Sequence, residues 1–406
     1  MRRRVLFNLT FHPPLPQDTP TQPTMSQEQE VAARFKEVFG RPATVIARAP
    51  GRVEFIGNHT DYNGGAVLGA GIDRHVWVAV SRGEPGQFAF CSDQQTTVRT
   101  LAAGTSTRQT GALSWLNYPL GVWLALGQFG LSQPADFNLL VHSDLPSGAG
   151  LSSSAALELA AGLAFLQLAG APAITAQRLA ELGRHAENNF VGVPCGVLDQ
   201  GTIAFARRDH LVHIDCMGPK FSTTPMPPGL RLWVFNSLTK HALIDGMYAQ
   251  RHAECQQAAK ALGVELLASL TPAELAARAG GLPPLIAKRA RHVVEEHARV
   301  GQVVAALAAN DMTRVGALLT ASHRSSQHLF ENSTPQLDFL VDRLVESPGI
   351  LGARLTGGGF GGAVLALARP EFDAAGAQAV GAAYLAKFGR APEIIPLQVA
   401  DGAQLV

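Results

Sequence analysis

The order of strand-like and helix-like segments is the strongest constraint on the fold of this chain. Helical periodicity predicts a helix over Gln27–Phe39, and four strand-like segments follow between residues 43 and 103. A long helix is predicted over Ser153–Leu168, residues 247–325 are mostly helical, and a strand, a helix and a strand close the chain. Because strands and helices mix without a strict βαβ rhythm, we predict an α+β fold rather than a doubly wound sheet.

Three further expectations concern the middle of the chain. Residues 177–189 are predicted to be helical, residues 201–216 to form a hairpin with its turn at 207–209, and residues 219–228 to be a proline-rich linker. A length of 406 residues makes two domains the natural expectation. We therefore place a domain boundary at this linker, near residue 222.

Composition excludes several classes of protein. The formal net charge is only +1, so no strong field attracts nucleic acid or an anionic membrane. No apolar run in the sequence is long enough to cross a bilayer. The 4 cysteines lie far apart without a Cys-x-x-Cys pair, which favours reduced thiols over a disulfide framework or a zinc site. We expect a cytoplasmic protein, and a monomer.

The first two dozen residues differ in character from the rest of the chain. Their basic start is similar to that of a secretory signal, but the apolar part is short and no A-x-A cleavage site comes after it. Residues 13–24 are rich in proline. We expect residues 1–24 to be a flexible extension that precedes the folded part of the chain.

A crowd of small residues stands directly before the long predicted helix. Residues 146–154 contain one proline, two glycines and four serines. The first amides of a helix have no intrahelical partner, glycines let an anion approach them, and serine hydroxyls bind phosphate or magnesium. The stretch therefore suits a polyphosphate with its metal ion, although a simple turn with a serine cap is the alternative. Walker A and protein-kinase motifs are absent from the sequence.

Two other regions concentrate polar side chains. Residues 48–65 place Arg52, Glu54, Asn58, His59 and Asp61 among glycines, which suits a polyol, although a polar turn with local hydrogen bonds is the alternative. In residues 185–201, one glutamate and one aspartate follow the pattern that magnesium binding and a general base require. A solvated acidic pair is the alternative there.

Two motifs are easily misread. The glycines of residues 357–362 match G-x-G-x-x-G, but a strand follows them rather than a helix, so a tight backbone approach to a substrate is favoured over a dinucleotide site. Residues 291–297 contain His292 and His297, but they are five positions apart, which fits neither spacing of zinc proteases. We expect this second motif to be a solvated helix face.

Taken together, the motifs resemble the GHMP family of small-molecule kinases and, within it, the members that phosphorylate galactose. The similar segments are "PGRVEFIGNHTDYNGG", "LPSGAGLSSSAALELA" and "LTGGGFGGAVLAL", supported by "VPCGVLDQ" and the closing "ADGAQLV". They follow the family order from about residue 30 to the end. The resemblance implies ATP and Mg²⁺ as cofactors and phosphorylation of the anomeric hydroxyl of galactose or a related hexose.

The resemblance also implies a fold and a set of site residues. It implies a ribosomal-S5-like domain for sugar and ATP over residues 25–222, and a ferredoxin-like domain over residues 223–406 whose final strand can return to the first domain. Its implied residues are catalytic Asp199 and Arg52; sugar-binding Asn58, His59, Asp61, Gly196 and Tyr248; ATP-binding Gly148, Gly150, Ser152, Ser154 and Trp115; and the magnesium ligands Ser153 and Glu187.

This chain departs from the family pattern next to the predicted sugar site. The usual Gly-Glu-His-Thr-Asp-Tyr here has Asn58 in place of the glutamate, and the usual asparagine two residues after the arginine is Glu54. An amide is neutral and also donates, so the identity of the sugar stays open. The alternatives are a related kinase for another hexose or an amino sugar, and a non-catalytic sensor of galactose and ATP.

Overall fold

The computed structural model describes residues 25–93, 95–146, 149–193, 195–240 and 244–406 of the chain. Residues 1–24, predicted to be a flexible extension, lie outside the described residues. The helices are α1 (Gln27–Phe39), α2 (Asn117–Gln128), α3 (Ser153–Leu168), α4 (Ala176–His185), α5 (Leu198–Phe205), α6 (Ile244–Leu262), α7 (Pro272–Arg278), α8 (Pro284–Ala308), α9 (Met312–Ser325), α10 (Pro335–Val345) and α11 (Ala374–Phe388). The strands are β1 (Val45–Ile56), β2 (Ala66–Ser81), β3 (Gln87–Ser92), β4 (Gln95–Ala102), β5 (Phe137–Ser143), β6 (His210–Asp215), β7 (Lys220–Pro225), β8 (Arg231–Lys240), β9 (Ile350–Thr356), β10 (Gly361–Ala368), β11 (Glu393–Leu397) and β12 (Gln404–Leu405).

The larger sheet has the strand order β12-β1-β2-β5-β3-β4, and β6 and β7 extend it from β2. Its strands pair antiparallel except β3 and β5, which run parallel. The last strand returns to the first, with Leu405 opposite Ala47. Helix α3 consists largely of alanine and leucine and is buried on most sides, which explains how it packs against both β1 and β2.

The smaller sheet is antiparallel, in the order β11-β8-β10-β9. Helices α10 and α11 pack on it around a core that includes Phe235, Leu355 and Tyr384. Strand β9 also approaches β1 of the larger sheet, where the Thr356 hydroxyl lies 3.1 Å from the backbone nitrogen and 3.1 Å from the carbonyl oxygen of Glu54. The two sheets and their helices confirm the α+β prediction. Within the described residues, no helix is long and apolar enough to cross a membrane.

Two sequence predictions about the middle of the chain are wrong. Residues 198–205 form helix α5 rather than the first strand of a hairpin, and the expected linker contains strand β7, which pairs with β6. Thr202 and Ile203 favour a strand by propensity, but both are buried and Gly201 packs closely on Phe221, so tertiary contacts override that preference. As a consequence Asp199 lies in the first turn of a helix.

Candidate active site

Two adjoining cavities lie between the larger sheet and the glycine loop before β10. The smaller one, of about 460 Å³, is lined by the start of α3 and by glycines of the loop. The larger one, of about 940 Å³, is lined by the loop after β1, by residues around the start of α5 and by α6. Four residues line both cavities, which places them at the junction: Arg52, Asp199, Gly357 and Gly358.

The start of α3 is shaped for a ligand rather than for a conventional cap. Ser152 takes the N-cap position with φ of 58°, a left-handed conformation that is uncommon for a residue other than glycine, and its side chain does not cap the helix. Its hydroxyl instead donates to Asp199 Oδ2 at 2.5 Å. Ser153 and Ser154 also line the smaller cavity. The amide-rich end of the helix therefore borders the cavity, an arrangement that favours an anion.

Arg52 and Asp199 form the ion pair at the junction. Arg52 Nε and Nη2 lie 2.8 and 2.6 Å from Asp199 Oδ1, and Arg52 Nη1 donates to the Gly150 carbonyl at 2.7 Å. Arg52 is buried on β1, where its fork geometry fixes the carboxylate. With Ser152 on the other oxygen, Asp199 is held in one orientation between the cavities.

All five predicted sugar-binding residues line the larger cavity. His59 Nδ1 lies 2.9 Å from the Tyr62 hydroxyl and its Nε2 lies 3.0 Å from the Gly358 carbonyl. Burial lowers the pKa of His59 to about 3, so the ring is neutral. Tyr248 packs against that ring with centroids 5.1 Å apart. The side chains of His59, Tyr62 and Tyr248 therefore form a fixed cluster beside the cavity.

Asp61 and Gly196 are neighbours in the wall of the same cavity. Burial, and next the charge of Glu54, raise the pKa of Asp61 to about 6. A Cβ atom at Gly196 would collide with the Asp61 carboxylate, so glycine is required there by the close approach of the two segments. Both residues line the larger cavity.

The predicted magnesium ligands lie on either side of the junction. Ser153 lines the smaller cavity and Glu187 lines the larger one. Glu187 Oε2 accepts from Gln200 Nε2 at 2.6 Å, and burial, followed by the charge of Asp199, raises the pKa of Glu187. Two neighbouring carboxylates in a buried corner suit a divalent cation, because the cation offsets their repulsion. No cluster of three or more His, Cys, Asp or Glu within the described residues forms a metal site by itself.

Three predicted site residues differ from the others. Gly148 lies outside the described residues. Trp115 does not line either cavity; it packs edge-on against Phe90 with centroids 6.3 Å apart. Asn58 lines the larger cavity, but it is 1% exposed and its amide bonds to other protein groups. The structure thus brings the remaining predicted residues together at two cavities. Trp115, predicted to lie near the nucleotide base, contacts neither of them.

A buried polar network that the sequence did not predict lies behind the loop after β1. The motif at 291–297 is not a solvated helix face, since His292 and Glu296 are both fully buried. Glu296 Oε1 accepts from the backbone nitrogens of Gly57 and Asn58 at 3.1 and 3.3 Å, and His292 Nε2 lies 3.0 Å from the Asn58 carbonyl. The signal was a four-residue spacing, which puts both side chains on one face of α8. Through these hydrogen bonds to its backbone, helix α8 fixes the position of the loop after β1.

Comparison with known proteins agrees with this geometry. Three family models match: the galactokinase galactose-binding signature over residues 33–82, the GHMP kinases N terminal domain over 117–207, and the GHMP kinases C terminal domain over 303–387. A mevalonate kinase from Methanococcus jannaschii superposes with a TM-score of 0.60 at 18% identity, covering 88% of this chain and 98% of that one, so the two share a fold. Fold and site thus define an ATP-using kinase of the GHMP class.

Two relatives narrow the class further. The galactokinase of Chloroflexus aggregans is 37% identical over 390 residues, which is 93% of this chain and 97% of that relative. The crystal structure of Lactococcus lactis galactokinase complexed with galactose superposes with a TM-score of 0.88 at 31% identity, covering 93% of this chain and all of that one. The chain belongs to the galactokinase family, and it is an enzyme.

Proposed function

We propose that this kinase transfers the γ-phosphoryl group of ATP to the anomeric hydroxyl of galactose. The observation that carries the proposal is the Arg52–Asp199 pair, at 2.6 Å, where the two cavities meet. One cavity borders a helix start that suits phosphates, and the other is lined by the polar groups that suit a sugar. The Asp199 carboxylate lies between the two cavities, at the position where a sugar hydroxyl that attacks the phosphate has to lose its proton.

The nucleotide phosphates would occupy the smaller cavity. Gly150, Ser152 and Ser154 line it, and the glycines of residues 357–362 form its opposite wall. Backbone amides and hydroxyls can then bind the phosphate oxygens without a Walker lysine. Trp115 lies away from this wall, so its predicted contact with the nucleotide base requires a ligand that reaches beyond the cavity.

The sugar would occupy the larger cavity with its anomeric carbon toward the junction. The Asp61 carboxylate accepts from ring hydroxyls, and the backbone at Gly196 lies beside that carboxylate. His59 is neutral and both of its ring nitrogens have protein partners, so it can offer the sugar only its ring face. Tyr248 closes the same side with its aromatic ring.

A magnesium ion would be held by Ser153 and Glu187, together with oxygens of the nucleotide. When bound, Mg²⁺ neutralises charge on the transferring phosphoryl group and orients it. The Gln200 amide holds Glu187 by one carboxylate oxygen, which leaves acceptor capacity for a metal on the other. The buried neighbouring charges of Glu187 and Asp199 make this corner suitable for a cation.

The chemical step depends on the two residues at the junction. Asp199 accepts the proton of the anomeric hydroxyl. The oxygen of that hydroxyl bonds to the γ-phosphorus of ATP, and the bond between this phosphorus and the oxygen that bridges it to the β-phosphorus breaks. Arg52 keeps Asp199 in place and stabilises the negative charge that spreads over the transferred group. Positioning by the two cavities supplies the rest of the rate.

A kinase for another hexose or an amino sugar is the second candidate. Asn58 lines the larger cavity, and the cavity volume of about 940 Å³ leaves room for a substituent on the sugar. A non-catalytic sensor is disfavoured, because Arg52 and Asp199 are both present and are paired where the two cavities meet.

A coupled assay for ADP release across a panel of sugars tests the proposal. The panel includes galactose, glucose, mannose, galactosamine and N-acetylgalactosamine, each with ATP and Mg²⁺. The proposal predicts the largest kcat/KM for galactose and a product that carries phosphate on the anomeric oxygen. A larger kcat/KM for an amino sugar would support the second candidate, and sugar binding without turnover of any sugar would support the sensor.

A further inference from the structure

The side chain of Asn58 has no hydrogen-bonding capacity left for a ligand. Its Nδ2 donates to Glu54 Oε1 at 3.1 Å and to the Gly357 carbonyl at 2.8 Å. Its Oδ1 accepts from Asn332 Nδ2 at 2.8 Å and from the Ser326 hydroxyl at 3.4 Å. Since an amide side chain has two donors and two acceptor lone pairs, the surrounding protein uses all of them.

Glu54 lies beside Asn58 and lines the same cavity. Two donors converge on its Oε1, Arg354 Nη2 at 2.9 Å and Asn58 Nδ2 at 3.1 Å. The contact that Oε2 makes among the described residues is a long one, 3.5 Å from Asn58 Nδ2. An ionised carboxylate has about four acceptor positions, so Oε2 keeps the capacity to accept from a ligand.

Arg354 fixes the orientation of this carboxylate from behind. It is fully buried, and besides Glu54 Oε1 it donates through Nη1 to the Glu54 carbonyl at 3.0 Å and through Nε to the Ser322 hydroxyl at 3.1 Å. Glu54 is therefore held in one orientation, with two donors on Oε1 and a single long contact on Oε2.

The charge of Glu54 also reaches the predicted sugar site. Glu54 and Asp61 line one cavity, and after burial the charge of Glu54 is the next cause that raises the pKa of Asp61. Two carboxylates that face a common cavity repel each other, and hydroxyl groups that donate to both offset part of that repulsion. A polyol between them removes part of that cost.

We propose that Glu54 Oε2 accepts a hydrogen bond from a ring hydroxyl of the sugar, and that Asn58 is a positioning residue that orients Glu54 and the glycine loop. The inference rests on the proposed function, since it assigns a sugar contact in that site. It corrects the expectation that Asn58 contacts the sugar directly. The carboxylate that the loop lacks at position 58 is supplied by position 54, from the adjacent strand.

The test combines variants of Glu54 with deoxygenated sugars. We expect Glu54→Gln to raise the KM for galactose about 10- to 100-fold, the usual range for a hydrogen bond to a charged group, with an unchanged KM for ATP. The monodeoxygalactose that lacks the recognised hydroxyl should lose this penalty, so that wild type and variant treat it alike. Glu54→Asp keeps a charge for Arg354 and should show the same selectivity if the amide variant folds poorly.

Asn58→Ala tests the positioning role, because Asn58 acts on the sugar through Glu54. It should raise the KM for galactose by a smaller factor than Glu54→Gln does, and this penalty should shrink on the same monodeoxygalactose. Glu181→Gln makes the same carboxylate-to-amide change in an exposed pair with Arg178 and should leave all kinetic constants unchanged.

Two results would overturn the inference while leaving the proposed function in place. One is a rise in KM that, for both Glu54→Gln and Glu54→Asp, is as large with every monodeoxygalactose as it is with galactose. The other is a penalty for Asn58→Ala that is selective for a different hydroxyl from the one that the Glu54 variants identify. Failure of the wild type to phosphorylate galactose would instead contradict the proposed function, and calorimetric titration of the wild type with galactose separates loss of binding from loss of chemistry.

Discussion

Arg52 and Ser152 hold opposite oxygens of one carboxylate, that of Asp199. The guanidinium contacts Oδ1 at 2.6 and 2.8 Å, and the hydroxyl donates to Oδ2 at 2.5 Å. The three residues come from β1, the start of α3 and the first turn of α5, so three separate segments must fold correctly to build the contact. The arrangement fixes a proton acceptor between a phosphate cavity and a sugar cavity.

The fork of Arg52 gives the first prediction. Arg52→Lys keeps the charge but cannot contact Asp199 through two nitrogens while it also reaches the Gly150 carbonyl. We expect kcat to fall about 100- to 1,000-fold, the cost of removing one preorganised donor, with a smaller change in the KM for galactose. Steady-state kinetics measure this, and Arg41→Lys in an exposed pair with Glu84 is the control. A kcat within about threefold of the wild type would exclude a role for the fork.

The raised pKa of Asp61 predicts how stability depends on pH. Its folded-state pKa is about 6, above the ordinary 3.8, so ionisation costs the folded state. That cost is absent below the ordinary value and complete above pH 6. Asp61→Asn should therefore gain free energy of unfolding relative to the wild type as the pH rises through this window. Urea denaturation at several pH values measures it, and a constant difference would contradict the prediction.

The same pKa predicts a pH dependence of sugar binding. A protonated Asp61 loses acceptor capacity, so the affinity of the wild type for galactose should weaken as the pH falls through about 6. Calorimetric titration without nucleotide measures this effect without interference from the titration of ATP. An affinity that stays constant across pH 6 would show that the ionised form of Asp61 does not contact the sugar.

Glu296 and Glu295 form a matched pair of neighbours on α8. The Glu296 carboxyl is fully buried, which alone would raise its pKa, but Arg299 and Arg354 are among the charges that hold that pKa at about 2. A lowered folded-state pKa stabilises the fold above the ordinary value of 4.5, and this contribution is lost as the pH falls toward 2.

Glu296→Gln should cost about 3–5 kcal/mol in the free energy of unfolding near neutral pH, because it leaves the largely buried Arg299 without its carboxylate partner. The difference from the wild type should shrink as the pH falls below 4.5. Glu295→Gln, whose side chain is 29% exposed, should change stability by less than about 0.5 kcal/mol. Urea unfolding compares the two, and equal effects would mean that the buried network does not stabilise the loop after β1.

The segments with a clear local pattern were predictable from the sequence. Helices α1 and α3 have the expected bounds, the first because of its periodic apolar residues and the second because of its long run of alanine and leucine. Helix α8 lies within the region that was expected to be mostly helical. The polar cluster after β1 and the serines before α3 also lie at cavities, as their density of hydrogen-bonding groups suggested.

The features that could not be predicted depend on partners far along the chain. The sequence favours a strand where the second half of helix α5 forms, because the burial of this helix against β6 and β7 is not visible locally. The burial of His292 and Glu296 depends on a loop more than 200 residues earlier. The saturation of Asn58 likewise requires Gly357 and Asn332, so its role could not be judged from the motif that contains it.

The most direct test of the account is the activity of Asp199→Asn. If Asp199 accepts the proton of the anomeric hydroxyl, the variant should lose about 100- to 10,000-fold in kcat for galactose, while calorimetry shows an ATP affinity within about threefold of the wild type. Asp209→Asn makes the same change in an exposed turn at φ of 58° and should leave both values unchanged. A kcat near that of the wild type in Asp199→Asn would contradict the central role of this carboxylate.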